Sequence, residues 1–264
     1  MTNDILPILK EAAQTPGLLK QIYKDLAKPG VAQVGKALST VLGLGNTLLW
    51  PLALLNERAK LALEHNLNQY RDQLDGIAED KIVPVQPEIG VPVAEKLAYV
   101  TNEHLSDLYI NLLAKASTKD TVDQAHPSFV NIIGALSPDE AILLQEFKHR
   151  VSLGFVTVRW YKKGTSEWRQ VADLLTGLEL QSKVHFSNNL FAYFSNFHGL
   201  GIVEIRRDIQ VVPHSFYEDL EKIYRPAFEK QSIDKNTYEL RFERGRIDIT
   251  PFGELFVKAC LSKL

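Results

Sequence analysis

From Ala37 to Leu55 the chain runs nineteen residues, ALSTVLGLGNTLLWPLALL, without a charged side chain. That approaches the ~20 residues a helix needs to cross a hydrocarbon layer. Twelve of the nineteen are Ala, Val, Leu or Trp, and the others are Gly, Ser, Thr, Asn and Pro. Gly43, Gly45, Asn46 and Pro51 all weaken a continuous spanning helix. Three arrangements fit the run. It can span a membrane, with Lys20, Lys24, Lys28 and Lys36 before it and Trp50 near one end as interfacial flanks. It can be a bent helix pair inside the chain's own core, the glycines allowing close approach and Asn46 or Thr47 capping the second helix. It can also be an apolar surface, within residues 34–55, that enters a membrane conditionally or meets another subunit. Leu42, Leu44, Leu48, Leu49 and Trp50 are then the contact residues.

Around this run the first half reads as helix. Residues 3–27 form one or two short helices broken at Pro16-Gly17, and Lys28-Pro29-Gly30 is a strong breaker. From Pro51 to Asp75, Leu52, Leu55, Ala59, Ala62, Leu63, Leu67, Tyr70 and Leu74 keep a spacing of three or four, which predicts an amphipathic helix. Pro84, Pro87 and Pro92 make residues 81–93 an extended connector. Helices are expected from Pro92 to Val100 and from Thr101 to Ala116, the second with Leu105, Leu108, Leu112 and Leu113 inward. A polar loop over 117–127 and a short helix lead to Ser137-Pro138-Asp139-Glu140. Those four residues are a helix start: Ser137 caps, Pro138 suits the first turn, and Glu140 reaches back as in a capping box.

Beyond Arg150 the pattern changes. Phe155–Trp160 reads as a strand, followed by helices over 166–178 and 184–198. Gly199-Leu200-Gly201 stops the second helix before a strand at Ile202–Arg206. Residues 238–250 read as a hairpin turning at Arg244-Gly245, and Thr250-Pro251 opens a last helix. An insert, 208–237, holds a helix near 216–229. Helix, strand, helix, helix, strand, strand, helix is the order of a winged helix-turn-helix. The expected fold is therefore mainly α: an N-terminal multi-helix region followed by a C-terminal winged-helix-like α+β domain. The expected divisions are 1–80, the connector 81–93, a helical layer 94–137, and a winged-helix-like domain 138–264.

The chemistry-bearing motifs are missing. Gly43-Leu44-Gly45 and Gly199-Leu200-Gly201 lack the third glycine of a dinucleotide loop, and no Gly-Lys-Ser/Thr phosphate loop occurs. The seven histidines contain no pair at metal-ligand spacing, and one cysteine cannot build a thiolate site. That cysteine, Cys260, lies among Phe256, Val257 and Leu261 and reads as a packed core thiol. No catalytic residue, metal ligand or cofactor is therefore expected. The N-terminus lacks the apolar core of a secretory signal, which predicts a cytoplasmic protein, membrane-associated on activation if residues 34–55 insert. A net charge of −2 points to no polyanion. A winged helix nevertheless invites the question of DNA. Asn188 and Asn189 are candidate base contacts, and Arg206, Arg241, Arg244 and Arg246 candidate phosphate contacts on the wing. Phe186, Phe191, Tyr193, Phe194 and Phe197 crowd the would-be reading helix, and so large an aromatic face suits a protein partner instead.

Three blocks in order, VGKALSTVLGLGNTLLWPLALLNERAK, VPVAEKLAYVTNEHLSDLYINLLAKAS and HPSFVNIIGALSPDEAILL, together with the closing ITPFGELFVKAC, resemble the abortive-infection alpha family of bacterial proteins. The resemblance covers residues 30–264. It implies a role in defence against bacteriophage, in which an infected cell arrests or dies before phage are released. It brings no catalytic residue and no cofactor. The expected partners are a protein or phage component and a second copy of the chain, with a membrane and nucleic acid as alternatives. The expected function is thus non-enzymatic, exerted through protein contacts. A membrane-active effector and a DNA-binding regulator are the competing readings.

Overall fold

The computed structural model describes residues 32–39, 57–181, 183–211 and 213–264. Among these residues it has ten α-helices and a four-stranded antiparallel sheet, a mixed α+β chain and not a purely helical one. The chain forms two compact units. A helical unit comprises residues up to Ala141 together with Phe256–Leu264, and a sheet unit comprises Ile142–Leu255.

Most of the uncharged run, with Leu42, Leu44, Leu48, Leu49 and Trp50, lies outside the described residues. Its opening is seen. Helix α1 (Ala32–Ala37) leads into Leu38, and Val34, Ala37 and Leu38 are all buried. The Val85 N–H donates to the Ala37 carbonyl at 2.8 Å, tying this first turn into the helical unit. Among the described residues no helix is long and apolar enough to cross a membrane.

In the helical unit, α2 (Glu57–Leu74) buries Leu63, Asn66, Tyr70 and Leu74, spaced by three or four as an inward stripe requires. Helix α3 is Pro87–Leu97. The connector expected to stay extended through residue 93 is thus already helix from Pro87. Pro87 occupies the first turn, where its missing N–H costs nothing. Pro92 sits inside the helix and removes one backbone bond, but Ile89, Val93 and Leu97 recur every four residues and are buried. That apolar stripe outweighs the lost bond. Helix α4 (Glu103–Ala116) starts on Asn102, whose side chain accepts from the Leu105 N–H at 3.2 Å. It buries Leu108, Tyr109, Ile110, Leu112, Leu113 and Ala114 around its whole circumference, as a central helix does. Helix α5 (Ser128–Gly134) brings Phe129 edge-on to Phe256, ring centres 5.2 Å apart. Two buried polar side chains are matched: Asn66 donates to the Leu97 carbonyl at 2.8 Å, and Tyr70 pairs with the Ser117 hydroxyl.

Helix α6 (Pro138–Leu144) carries the expected capping box in both directions. The Ser137 N–H donates to the Glu140 carboxylate at 2.6 Å, and the Glu140 N–H donates to the Ser137 hydroxyl at 3.3 Å. The sheet unit follows with β1 (Ser152–Lys162), β2 (Trp168–Leu175), α7 (Leu178–Gln181), α8 (Leu190–Gly199), β3 (Val203–Arg206), α9 (Ser215–Glu229) and β4 (Tyr238–Ile249). Helix α10 (Pro251–Phe256) widens into a π-helix over Val257–Leu261.

The strand order is β2-β1-β4-β3, all antiparallel. Three expectations fail here. Residues 166–178 are largely strand β2, the second arm of a hairpin with β1, so the winged-helix element order does not hold. The aromatic helix starts at Leu190, after a single 3₁₀ turn over Ser187–Asn189. Arg244-Gly245 is no turn: β4 runs straight through it, paired with β1 along its length. Gly245 stands opposite Phe155, and a Cβ there would lie 2.7 Å from the Arg206 carbonyl oxygen and against the Phe155 ring. The glycine marks close packing between strands.

Helix α9 packs on one sheet face. Tyr217 and Leu220 meet Val156 in a buried cluster, and the Tyr217 hydroxyl donates to the Gly245 carbonyl at 2.9 Å. On this face Gly154 leaves room for the Phe216 ring. Alternation along β1 sends Phe155, Thr157, Arg159 and Tyr161 to the opposite face.

Candidate functional site

The six described candidate residues do not form one surface. Arg244 lies on the sheet face that carries α9, where the Glu221 carboxylate accepts from its guanidinium at 2.9 Å. Its guanidinium also lies 5.4 Å from the centre of the Tyr217 ring. Arg246 and Arg206 are register partners on the same face. The first pairs with Asp248 at 2.9 Å and the second with Asp208 at 3.0 Å. Arg241 points to the other face, stacked on Tyr161 and bonded to Glu239. A phosphate would have to displace a carboxylate from each arginine. Asn188 and Asn189 are exposed on the 3₁₀ turn before α8, and Asn188 lines a groove described next. Tyr193, Phe194 and Phe197 are buried in the sheet unit's own core, leaving Phe186 and Phe191 exposed from that aromatic set.

The groove has a volume of about 510 Å³, within the ~300–1,000 Å³ range of ligand clefts. One wall is β2 from Gln170 to Leu175, and the others come from Glu179 and Leu180 of α7 and from Ser187, Asn188, Leu190 and Phe191. Two irregularities in the β1–β2 ladder shape the strand wall. Between Ala172 and Leu175, two residues of β2 oppose the single Thr157 of β1. Leu174 there has φ +51° while its side chain is buried. For a leucine this left-handed conformation is strained, and neighbouring contacts hold it.

Asp173 supplies those contacts. Its side chain is 6% exposed and accepts two hydrogen bonds from Arg207, at 2.8 and 2.7 Å, one from Thr157 and one from the Leu174 N–H. Asp173 belongs to β2 and Arg207 directly follows β3, so this clamp joins the two outermost strands and curls the sheet. Burial alone would raise the Asp173 carboxyl. The bonds from Arg207 and Thr157, the Arg207 charge and the Leu174 N–H outweigh it and hold the group below the usual carboxylate range. Glu179 is also engaged, accepting from Tyr224 and from the Thr176 hydroxyl. Burial, reinforced by the Glu179 carboxylate, pushes the Tyr224 phenol well up. Both acids of the groove wall are thus committed to bonds within the protein. Burial likewise pushes the Cys260 thiol well up, the state of an inert core thiol.

Asp173, Thr157, Arg207 and Leu174 were invisible to a reading that made 166–178 a helix. One signal was present: Lys163-Gly164-Thr165-Ser166-Glu167 between β-rich runs is a hairpin loop, and Gly164 adopts φ +76° in it. Two exposed apolar side chains line the groove, Leu180 at 62% and Phe191 at 50%, and Phe186, 59% exposed, directly precedes the lining residue Ser187.

Among known proteins, the family model for Abortive infection alpha matches residues 62–260. The matched region contains the sheet unit, the groove and most of the described helical unit, and it leaves out residues 34–55. No curated protein and no solved structure matches the chain.

Proposed function

The chain belongs to the abortive infection alpha family, and from that premise we propose that it serves in defence against bacteriophage by binding a protein partner in the cytoplasm, without a reaction of its own. The observation that carries the contact reading is the exposed pair Leu180 and Phe191, both lining the groove, with Phe186 exposed next in the chain to the lining residue Ser187. Apolar side chains of this size, grouped next to a concavity, are what a protein interface buries at its centre. The engaged state of Asp173 and Glu179 favours a recognition surface over an acid–base pair.

The test uses cells that express the full chain and are challenged with phage. The wild type should lower plaque numbers, and the double variant Phe186→Ser/Phe191→Ser should restore them at least tenfold while keeping its melting temperature within a few degrees. Undiminished protection by that variant removes the contact reading. Hydrolysis of nucleotides, nucleic acid or protein by the purified chain makes it an enzyme instead.

A further inference from the structure

Strand β2 is an outer strand of the sheet, and from Gln170 onward it lines the groove. Beyond Glu167, whose carbonyl accepts from the Lys162 N–H at 3.0 Å, the β1–β2 ladder alternates. Arg169 therefore turns its backbone groups toward Trp160, while Trp168 and Gln170 turn theirs outward. Among the described residues no hydrogen bond reaches those outward groups. Trp168, Arg169 and Gln170 are all exposed, and half of the Trp168 surface is open, with the Arg159 guanidinium stacked 3.9 Å from its ring centre. Natural edge strands are guarded by proline, charged side chains, bulges or a covering element. Trp168–Gln170 has neither proline nor lysine, its one charge is Arg169, and the ladder stays regular until Val171.

We propose that this edge takes an extended peptide segment of the partner protein as a further strand beside β2, with an apolar side chain of the segment seated in the groove between Leu180 and Phe191. The proposal rests on the protein-contact reading above and specifies its partner. An exposed row of N–H and carbonyl groups is matched by extended backbone. The ionisable side chains lining the groove are two carboxylates, Asp173 and Glu179, already engaged within the protein. Asp173 is neutralised by Arg207, whereas Glu179 accepts from the neutral hydroxyls of Tyr224 and Thr176 and keeps its charge, so the side chains seated beside it are neutral or basic. The apolar rim selects an aliphatic or aromatic side chain, and Trp168 supplies a flat platform at the start of the strand.

The probe is a displayed library of random dodecapeptides, panned against the purified full chain. Enriched peptides should alternate apolar and polar residues, lack acidic ones, and slow hydrogen exchange at the amides of Trp168 and Gln170. Gln170→Pro removes an outward N–H and leaves the pairing with β1 intact, so it should weaken binding at least tenfold. Leu180→Asp, on an exposed helix face, should do the same without touching the strand. Failure to enrich any peptide, enrichment of acidic peptides, or equal binding by both variants overturns the proposal. A dimer in sedimentation that Gln170→Pro dissolves assigns the edge to a second copy of the chain and overturns it too. All of these outcomes are read on purified protein, whereas the contact reading is decided by infection of cells, so the two can fail separately.

Discussion

At the scale of single residues, Asp173 has the largest consequence. Its carboxylate is nearly buried and holds Arg207, Thr157 and the strained Leu174 together. Asp173→Asn removes one partner of a largely desolvated pair, a change that costs ~3–5 kcal/mol when both partners are buried. Arg207 is 47% exposed and regains water, so a loss of about 2–3 kcal/mol is expected, read as a lower urea midpoint. The pH dependence follows from the same bonds. The folded carboxyl lies below its ordinary value of 3.8, so its contribution is complete above that value and disappears as pH falls through the lower folded one. Wild type should therefore lose stability more steeply below about pH 4 than Asp173→Asn does. None of this was legible in the sequence, because the clamp joins residues 34 positions apart and depends on the order of strands. Gly245 was misread for a related reason. Glycine signals both a turn and a close approach, and only the Phe155 ring opposite it distinguishes them.

At the scale of elements, the legible parts were those encoded by neighbours in the chain. The capping box of α6 was foreseen residue by residue, since Ser137 and Glu140 need only each other. Glu140→Ala should cost about 1 kcal/mol, seen as a drop of a few degrees in melting temperature, with Glu140→Gln retaining most of it. Helices α2 and α4 were also legible, because their inward stripes recur at three or four residues, while the helices expected over 3–27 lie outside the described residues. The α9 insert helix was placed within a residue of its start. Strand β2 escaped: Arg169, Gln170, Ala172 and Leu175 all suit a helix, and what makes them a strand is the hairpin partner β1. Helix α3 was started too late because three prolines outweighed, in the local reading, a stripe whose value appears only on burial.

At the scale of the molecule, the sheet unit is inserted into the helical unit, whose last nine residues, Phe256–Leu264, come from the far end of the sequence. Asn111 of α4 donates to the Cys260 carbonyl at 2.7 Å, and Lys115 to that of Lys263 at 3.2 Å. Phe256, Ala259, Cys260 and Leu261 are buried in that unit. Ending the chain after Leu255 strips these groups from α4 and takes away the acceptor of the Asn111 side-chain NH2, whose amide oxygen keeps only the bond from Gln73. Limited proteolysis should then cut within 57–141 at least ten times faster than in the full chain. Cleavage at the wild-type rate would show that the tail contributes little. The division was hard to see beforehand because α10 runs without a break from one unit into the other. Order of synthesis now acquires a meaning. A ribosome delivers every strand of the inserted body before it delivers the plug that seals the older helices, so the part begun first is finished last. Until that moment the cavity around α4 stands open, and each newly made copy passes through an interval in which a chaperone or protease can reach it.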